Sequence, residues 1–219
     1  VIQQPDTLLS LESLNVRVQA WPLLKGKVEV DEVTLSQVAV NSANLIEGMQ
    51  IKGVLGRFFL QSHGVDLSNE TAVVNRTELS DTHIQLLMTD TTTTPKDTTA
   101  SAPVNWKVNL HQLKLKNVSF GMKLPADSMK MAAYIGEATI DDAKADLKNQ
   151  FYGLKQFLLS GASASYDTGE AQPSEGFDAS HMAVRNIRIG LDSLLYEGRN
   201  MNAVIREITM EERSGLSIT

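Results

Sequence analysis

The 219-residue sequence predicts an all-β protein: a long, curved, bulged antiparallel sheet of repeated units forming a groove, β-taco or sandwich-like, with little helix. Three observations carry that expectation. First, residues 108–120 (VNLHQLKLKNVSF) place apolar side chains at Val108, Leu110, Leu113, Leu115, Val118 and Phe120. The same spacing fits Val28, Val30, Val33, Leu35, Val38 and Val40, and again Ala133, Ile135, Ala138, Ile140, Ala143 and Ala145. It also fits Phe177, Ala179, Met182, Val184, Ile187 and Ile189, with weaker copies over 9–16, 72–84 (Thr77 and Thr82 standing in for apolar residues) and 203–210. Second, the positions i, i+2, i+5, i+7 and i+10 miss the i, i+3, i+4, i+7 stripe of a helix. Third, the breaks in alternation fall on polar pairs: Asp31-Glu32, His111-Gln112, Lys116-Asn117, Asp141-Asp142 and Arg185-Asn186. Strict alternation keeps every second side chain on one face of a strand. An extra residue at each polar pair bends and twists the strand and returns the apolar set to the same side. The competing reading is an ordinary sandwich whose strands turn at those pairs.

Taken in order, residues 1–7 read as a lead-in and 8–20 as a strand ending at Trp21-Pro22, where proline favours a break. Residues 23–27 turn into the strand over 28–40, and 41–48 hold turn formers around Leu45-Ile46. The strand over 51–61 carries Gly53 and Gly56, which mark bends or bulges, and His63-Gly64 and Ser68-Asn69 read as turns before 72–88. Residues 89–103 (TDTTTTPKDTTASAP) contain no large apolar side chain and read as a linker or exposed loop. Strands then follow over 106–122, 130–147 and 150–166, with a turn at Pro125-Ala126-Asp127 and a polar loop over 167–176. Residues 189–210 are the one stretch that allows a short helix, and Gly198-Arg199-Asn200 reads as a turn. The expected organisation is a first repeat unit over 1–88, a linker over 89–104, a second unit over 105–167 and a third, incomplete one over 168–219. Recurrence of the spacing at Val28, Val108 and Phe177 favours a repeat array with inserted loops.

Composition narrows the function. Net charge is −6 without a basic run, which argues against nucleic acid and against a polybasic membrane-surface patch. Cysteine is absent, so there is no disulfide framework or thiolate metal site, and the compartment stays open. The chain starts at Val1 and has no apolar run of about 18 residues, so it reads as a piece of a longer protein. His63, His83, His111 and His181 stand apart in sequence, with no H-E-x-x-H. Gly161-Ala162-Ser163-Ala164-Ser165 lacks the second glycine of a nucleophile elbow, and no phosphate-binding loop occurs. Neither an enzyme nor a metal or cofactor is expected. Asn69, Asn75 and Asn117 head N-glycosylation triplets.

The run Trp21-Pro22-Leu23-Leu24-Lys25-Gly26-Lys27-Val28, continued by Asp31-Glu32-Val33-Thr34-Leu35, resembles the N-terminal part of the AsmA/TamB group, where a "P-L-L-x-G" turn precedes such a strand. Ile51-Lys52-Gly53-Val54-Leu55-Gly56 resembles the "I-x-G-x-L-G" piece that follows, and Glu212-Arg213-Ser214-Gly215-Leu216 an "E-x-S-G-L" element of the TamB-like members. The resemblance implies an envelope protein of a double-membraned bacterium. An N-terminal helix, missing from this sequence, would anchor it in the inner membrane, and its β-rich body would extend through the periplasm. Stacked repeats would form a chorein-like groove. The implied activities are phospholipid transport between the membranes or assistance to the assembly of outer-membrane β-barrel proteins; no catalytic residue is implied.

The residues reach a similar expectation by themselves. An apolar sheet face needs cover, and no amphipathic helix of sufficient length is available to supply it. Phospholipid acyl chains suit such a face because their burial is non-directional, at about 0.8 kcal/mol per CH₂. The expected groove residues are Val28, Val30, Val33, Leu35, Val38, Val40, Val108, Leu110, Leu113, Leu115, Val118, Phe120, Ile135, Ile140, Ile187 and Ile189. Plain core packing is the alternative for each. Two other functions compete: a platform binding outer-membrane strands by β-augmentation, and a cell-surface adhesin or carbohydrate-binding sandwich.

Overall fold

The computed structural model describes residues 9–19, 30–42, 48–66, 69–88, 105–169 and 172–219. Among them run the strands β1 (Leu9–Val18), β2 (Val30–Asn41), β3 (Met49–Asp66), β4 (Thr71–Met88), β5 (Lys107–Leu124) and β6 (Met129–Asp146). They continue as β7 (Phe151–Leu154), β8 (Gln156–Asp167), β9 (His181–Glu197), β10 (Asn200–Glu212) and β11 (Ser217–Ile218). A 3₁₀ turn at Pro125–Asp127, where the sequence predicts a turn, links β5 to β6. All eleven strands join in one sheet in chain order; β7 and β8 share one lane between β6 and β9, interrupted at Lys155. Neighbours are antiparallel except β4 and β5, which pair in parallel from Thr71–Lys107 to Leu87–Lys123. Residues 89–104, which connect them, lie outside the described residues, as do Val28 and the Trp21 to Lys27 run.

Two transverse lines interrupt the ladders. On the first, Gln37, Gly56, Asp81, Asn117 and Gly136 follow one another across β2 to β6, each skipped while the register on either side stays in step. Gln37, Asp81 and Asn117 have left-handed backbones (φ 50°, 52° and 52°), and Gly161 and Asn186 on β8 and β9 continue the line at 61° and 54°. The second line lies six residues away, through Asn75, His111 and Asp142, the last with φ 50°. Toward β1 and β2 it ends in true bulges, at Asp31 between Arg17 and Val18 pairings and at Ser62 to Gly64. Every polar pair read from the sequence as a slip therefore sits on one of these lines. From β2 to β6 neighbouring strands slip together on the first line, so the extra residue costs no register there and the sheet is creased as a unit; in the β1–β2, β3–β4, β8–β9 and β9–β10 ladders the slips are bulges or irregularities of register. Asn and Asp tolerate the left-handed region better than most residues, which accounts for Asp81, Asn117, Asp142 and Asn186.

The strands run straight through the polar pairs, so these are not the turns of an ordinary sandwich. His63-Gly64 is an irregularity inside β3, not a turn. Residues 189–210 form the β9–β10 hairpin, with no helix; the extended pairing of Tyr196 with Met201 and Leu194 with Ala203 on the apolar face wins over helical propensity. Phe177 and Ala179 precede β9, so the spacing enters that strand only at Met182.

Candidate functional site

Directly opposed residues of adjacent strands share a face, so the register assigns the groove residues. Val33, Leu60, Thr77, Leu113, Ile140, Phe157, Leu191 and Ile205 make one transverse row. Leu14, Leu35, Phe58, Leu79, Leu115, Ala138, Leu159, Ile189 and Ile208 make the next. These two rows lie between the creases and form a floor. Beyond the first crease come Leu11, Val38, Leu55, Thr82, Val118 and Ile135, then Val40, Gly53, Ile84, Phe120, Ala133, Ala164 and Val184. Ile187 sits beside Ala162 on the same wall. Beyond the second crease, Val74, Leu110 and Ala143 form the opposite wall, with Ala72, Val108, Ala145, Tyr152 and Tyr196 above them.

The expected residues within the described set lie in these rows, with Ile187 beside Ala162 and Val30 at the β1–β2 end opposite Val18, beyond the bulge. Val28 lies outside the described residues. Phe58, Leu60, Phe157 and Leu159 complete the floor although the sequence did not single them out. In β3, Gly53 and Gly56 break the five-residue pattern, and in β8 Gly161 does.

Burial shows which way the creases fold. Thr82, Ala138 and Ala162, beside the first crease on the apolar face, are 2%, 5% and 5% exposed. Asn117, Asp81 and Gln37 on the crease itself, and Lys116 beside it, are exposed. The apolar face is therefore the inside of the bend, and small side chains occupy the angle. A polar ladder runs along the outside. Asn117 Nδ2 donates to Asp81 Oδ1 (2.9 Å) and Tyr134 OH to Asn117 Oδ1 (3.0 Å). At the second crease Asp142 accepts from Lys155 Nζ (2.7 Å) and faces His111 Nδ1 at 3.0 Å, and these partners hold its carboxyl below the usual range.

The product is a trough with a floor and two walls. Strand spacing makes it roughly 40 Å long, and the six residues between creases make its floor about 20 Å wide. Its apolar lining is half-exposed throughout: among the described residues no side chain is fully buried, and only Ala72, Ala138 and Ala162 form a buried apolar set. At its ends Leu9, Leu14, Val16, Met201, Val204 and Ile205 are exposed.

A separate concavity of about 1030 Å³ lies on the outward face of the wall that contains Phe120. It is lined by Lys123, Lys130, Gln85, Tyr134, Ser165 and Arg213, among others, and shares Phe120, Ala133, Ala164 and Val184 with the wall, but takes in none of the floor rows of the trough. At its edge His181 is buried, its Nδ1 3.0 Å from Asp178 Oδ2. Its Nε2 lies 3.3 Å from Asp167 Oδ1 without hydrogen-bond geometry. Among the described residues no group of three or more His, Cys, Asp or Glu could hold a metal ion, and no helix is long and apolar enough to cross a membrane.

Among the described residues the fold and site define a class: a single-layer, twice-creased β-trough with an open apolar interior. The chain matches none of the protein-family models and none of the curated proteins compared with it.

Proposed function

We propose that the trough binds the acyl chains of phospholipids and carries them, without chemical conversion, between the inner and outer membranes of a bacterial envelope. In this reading the full-length protein stands in the periplasm, anchored to the inner membrane. One observation carries the proposal: a row of apolar side chains passes from strand to strand, from Leu14 to Ile208, over the inside of a bent sheet, and among the described residues no second layer covers it. A floor about 20 Å wide accommodates an acyl chain of about 15 Å, half the hydrocarbon core of a bilayer. Burial of chain methylenes there is favourable at about 0.8 kcal/mol each and imposes no register, so a bound chain can move along the rows.

The test is mass spectrometry of organic extracts from the purified protein and from the Leu115→Asp, Val118→Asp double variant. Phospholipid in the parent and none in a variant with unchanged β-sheet circular dichroism is the expected result. A well-folded parent free of lipid would overturn the reading.

A second reading rests on β1. Among the described residues that strand pairs on one side only, and its Leu9, Leu11, Leu14 and Val16 are exposed. An open, apolar sheet edge accepts a further strand, as a platform for outer-membrane β-barrel proteins would require.

A further inference from the structure

We propose that the outward face of the Phe120 wall is a second binding site, for a phosphate-bearing anionic headgroup, distinct from the trough. The argument starts from the register. Ser119, Gly121 and Lys123 on β5 alternate with the trough residues, and their partners Tyr134, Ala132 and Lys130 on β6 share the outward face. Ser163, Ser165 and Asp167 on β8 extend the same rows, and Ala183 and His181 on β9 extend them further. The central row is therefore small from strand to strand: Gly121, Ala132, Ser165, Ala183. These four adjacent strands span about 14 Å and three same-face rows about 14 Å. Over that area the wall encloses the 1030 Å³ concavity.

Its charge is the reverse of the chain's. The protein carries a net −6, yet Lys52, Lys123, Lys130, Arg185 and Arg213 all line this one space. Only Asp167, among the described residues, contributes a carboxylate to that lining. Arg185 is paired to Glu211 at 3.1 Å; Lys52, Lys123, Lys130 and Arg213 have no ion-pair partner among the described residues. These cations come from four different strands and a turn, which is why no basic run betrays them in the sequence.

Cations around a floor of small residues, with the Ser163 and Ser165 hydroxyls beside them, match a multiply charged oxyanion. Lysine presents a point charge on a flexible stem and needs no planar partner, which suits phosphate better than a single carboxylate. The floor is open by composition and not by packing necessity. A Cβ built on Gly121 would meet nothing closer than Gln85 Cγ at 3.8 Å and Met131 O at 4.0 Å. A larger side chain there fills the concavity without disturbing the sheet.

The headgroup can belong to a membrane lipid or to a soluble phosphate ester, and the test separates the two. Binding of the whole chain to phosphatidylglycerol vesicles and to phosphatidylcholine vesicles would be measured by flotation, with glycerol 3-phosphate as a soluble competitor. The variants are Gly121→Leu, the pair Lys123→Glu, Lys130→Glu, and the control pair Lys114→Glu, Lys116→Glu, which makes the same charge change on the outward face between the creases. The expected result is binding to the anionic vesicles that weakens about tenfold or more in the Lys123, Lys130 pair and is also lost in Gly121→Leu, with the control pair close to the parent. Competition by millimolar glycerol 3-phosphate assigns the site to soluble esters; its failure assigns it to lipid. Equal loss in both charge pairs with Gly121→Leu unaffected would reduce the effect to general surface charge and overturn the site, as would no binding at all. Because these residues face away from the trough, lipid retained in its floor is unaffected by all of these substitutions, and the two proposals fail separately.

Discussion

Single residues in this sheet are held by local hydrogen bonds more than by burial, and Asp178 is the clearest case. Its carboxylate accepts from Ser174 N (3.0 Å), Ser180 N (2.9 Å) and Ser174 Oγ (3.2 Å), and faces His181 Nδ1 at 3.0 Å. The two backbone donors, Ser174 first, hold its pKa far below the ordinary value of 3.8. A pKa lowered by folding stabilises the native state above the unfolded-state value, and that contribution fades as pH falls from there toward the folded-state value. Asp178→Asn is therefore expected to lower Tm at pH 5, and the gap to the parent is expected to narrow as pH is taken below about 4. Thermal melts followed by circular dichroism between pH 5 and 2.5 check this. A gap that stays constant would mean that the side chain acts through its shape and not its charge.

At the scale of the strand, the decisive device is the pairing of left-handed residues with glycines along the first crease. A Cβ on Gly56 would stand 2.7 Å from both Asp81 O and Asp81 Cβ, and one on Gly136 would stand 2.9 Å from Gly161 O. Neither neighbour is a flexible side-chain tip, so the backbone must move. Gly56→Ala and Gly136→Ala are each expected to cost about 1–3 kcal/mol, the range for overpacking. Gly121→Ala, in the same sheet but off the crease, should stay near the parent. Urea unfolding midpoints distinguish them, and equal behaviour of all three variants would show that the crease does not depend on glycine.

The same device explains what the sequence made legible. Asn117, Asp142 and Asn186 advertise the creases because polarity and tolerance of positive φ coincide there, so the five-residue spacing could be read directly. Gly161 does the same without a polar marker, and Gly56 is the small partner that the left-handed Asp81 requires; their strands were legible, but the floor residues Phe58, Leu60, Phe157 and Leu159 on them were not. The parallel pairing of β4 with β5 leaves no local trace either, since the spacing of Ala72, Val74, Thr77, Leu79, Thr82 and Ile84 reads alike in both directions. The basic concavity was hidden for a related reason: Lys52, Lys123 and Arg213 meet only through lateral pairing.

For the whole molecule, the consequence of a single creased layer is that stability and occupancy are linked. A sheet with one apolar face normally buries it against a second layer. Here the inside of the bend is lined by Leu113, Leu115, Ile140, Phe157 and Ile189 on the floor alone, all half-exposed. Any ligand that covers them binds the native state and not the unfolded chain, so it stabilises by mass action, by about 2.7 kcal/mol at a hundred times its Kd. For a chain of this size that corresponds to a rise in Tm of about 5–10 °C. A protein stripped of lipid by organic extraction on a column and refolded is therefore expected to melt at a temperature that climbs with the logarithm of added lysophospholipid. The Leu115→Asp, Val118→Asp variant should show no such climb, because one charge in the floor and one at the foot of its wall would have to be desolvated beneath the acyl chain. Gly121→Leu, which alters only the outward face, should climb like the parent. A flat response in the parent would mean that the trough walls close on each other in solution and supply their own second layer, leaving the apolar rows a core and the outward concavity the only site open to a ligand.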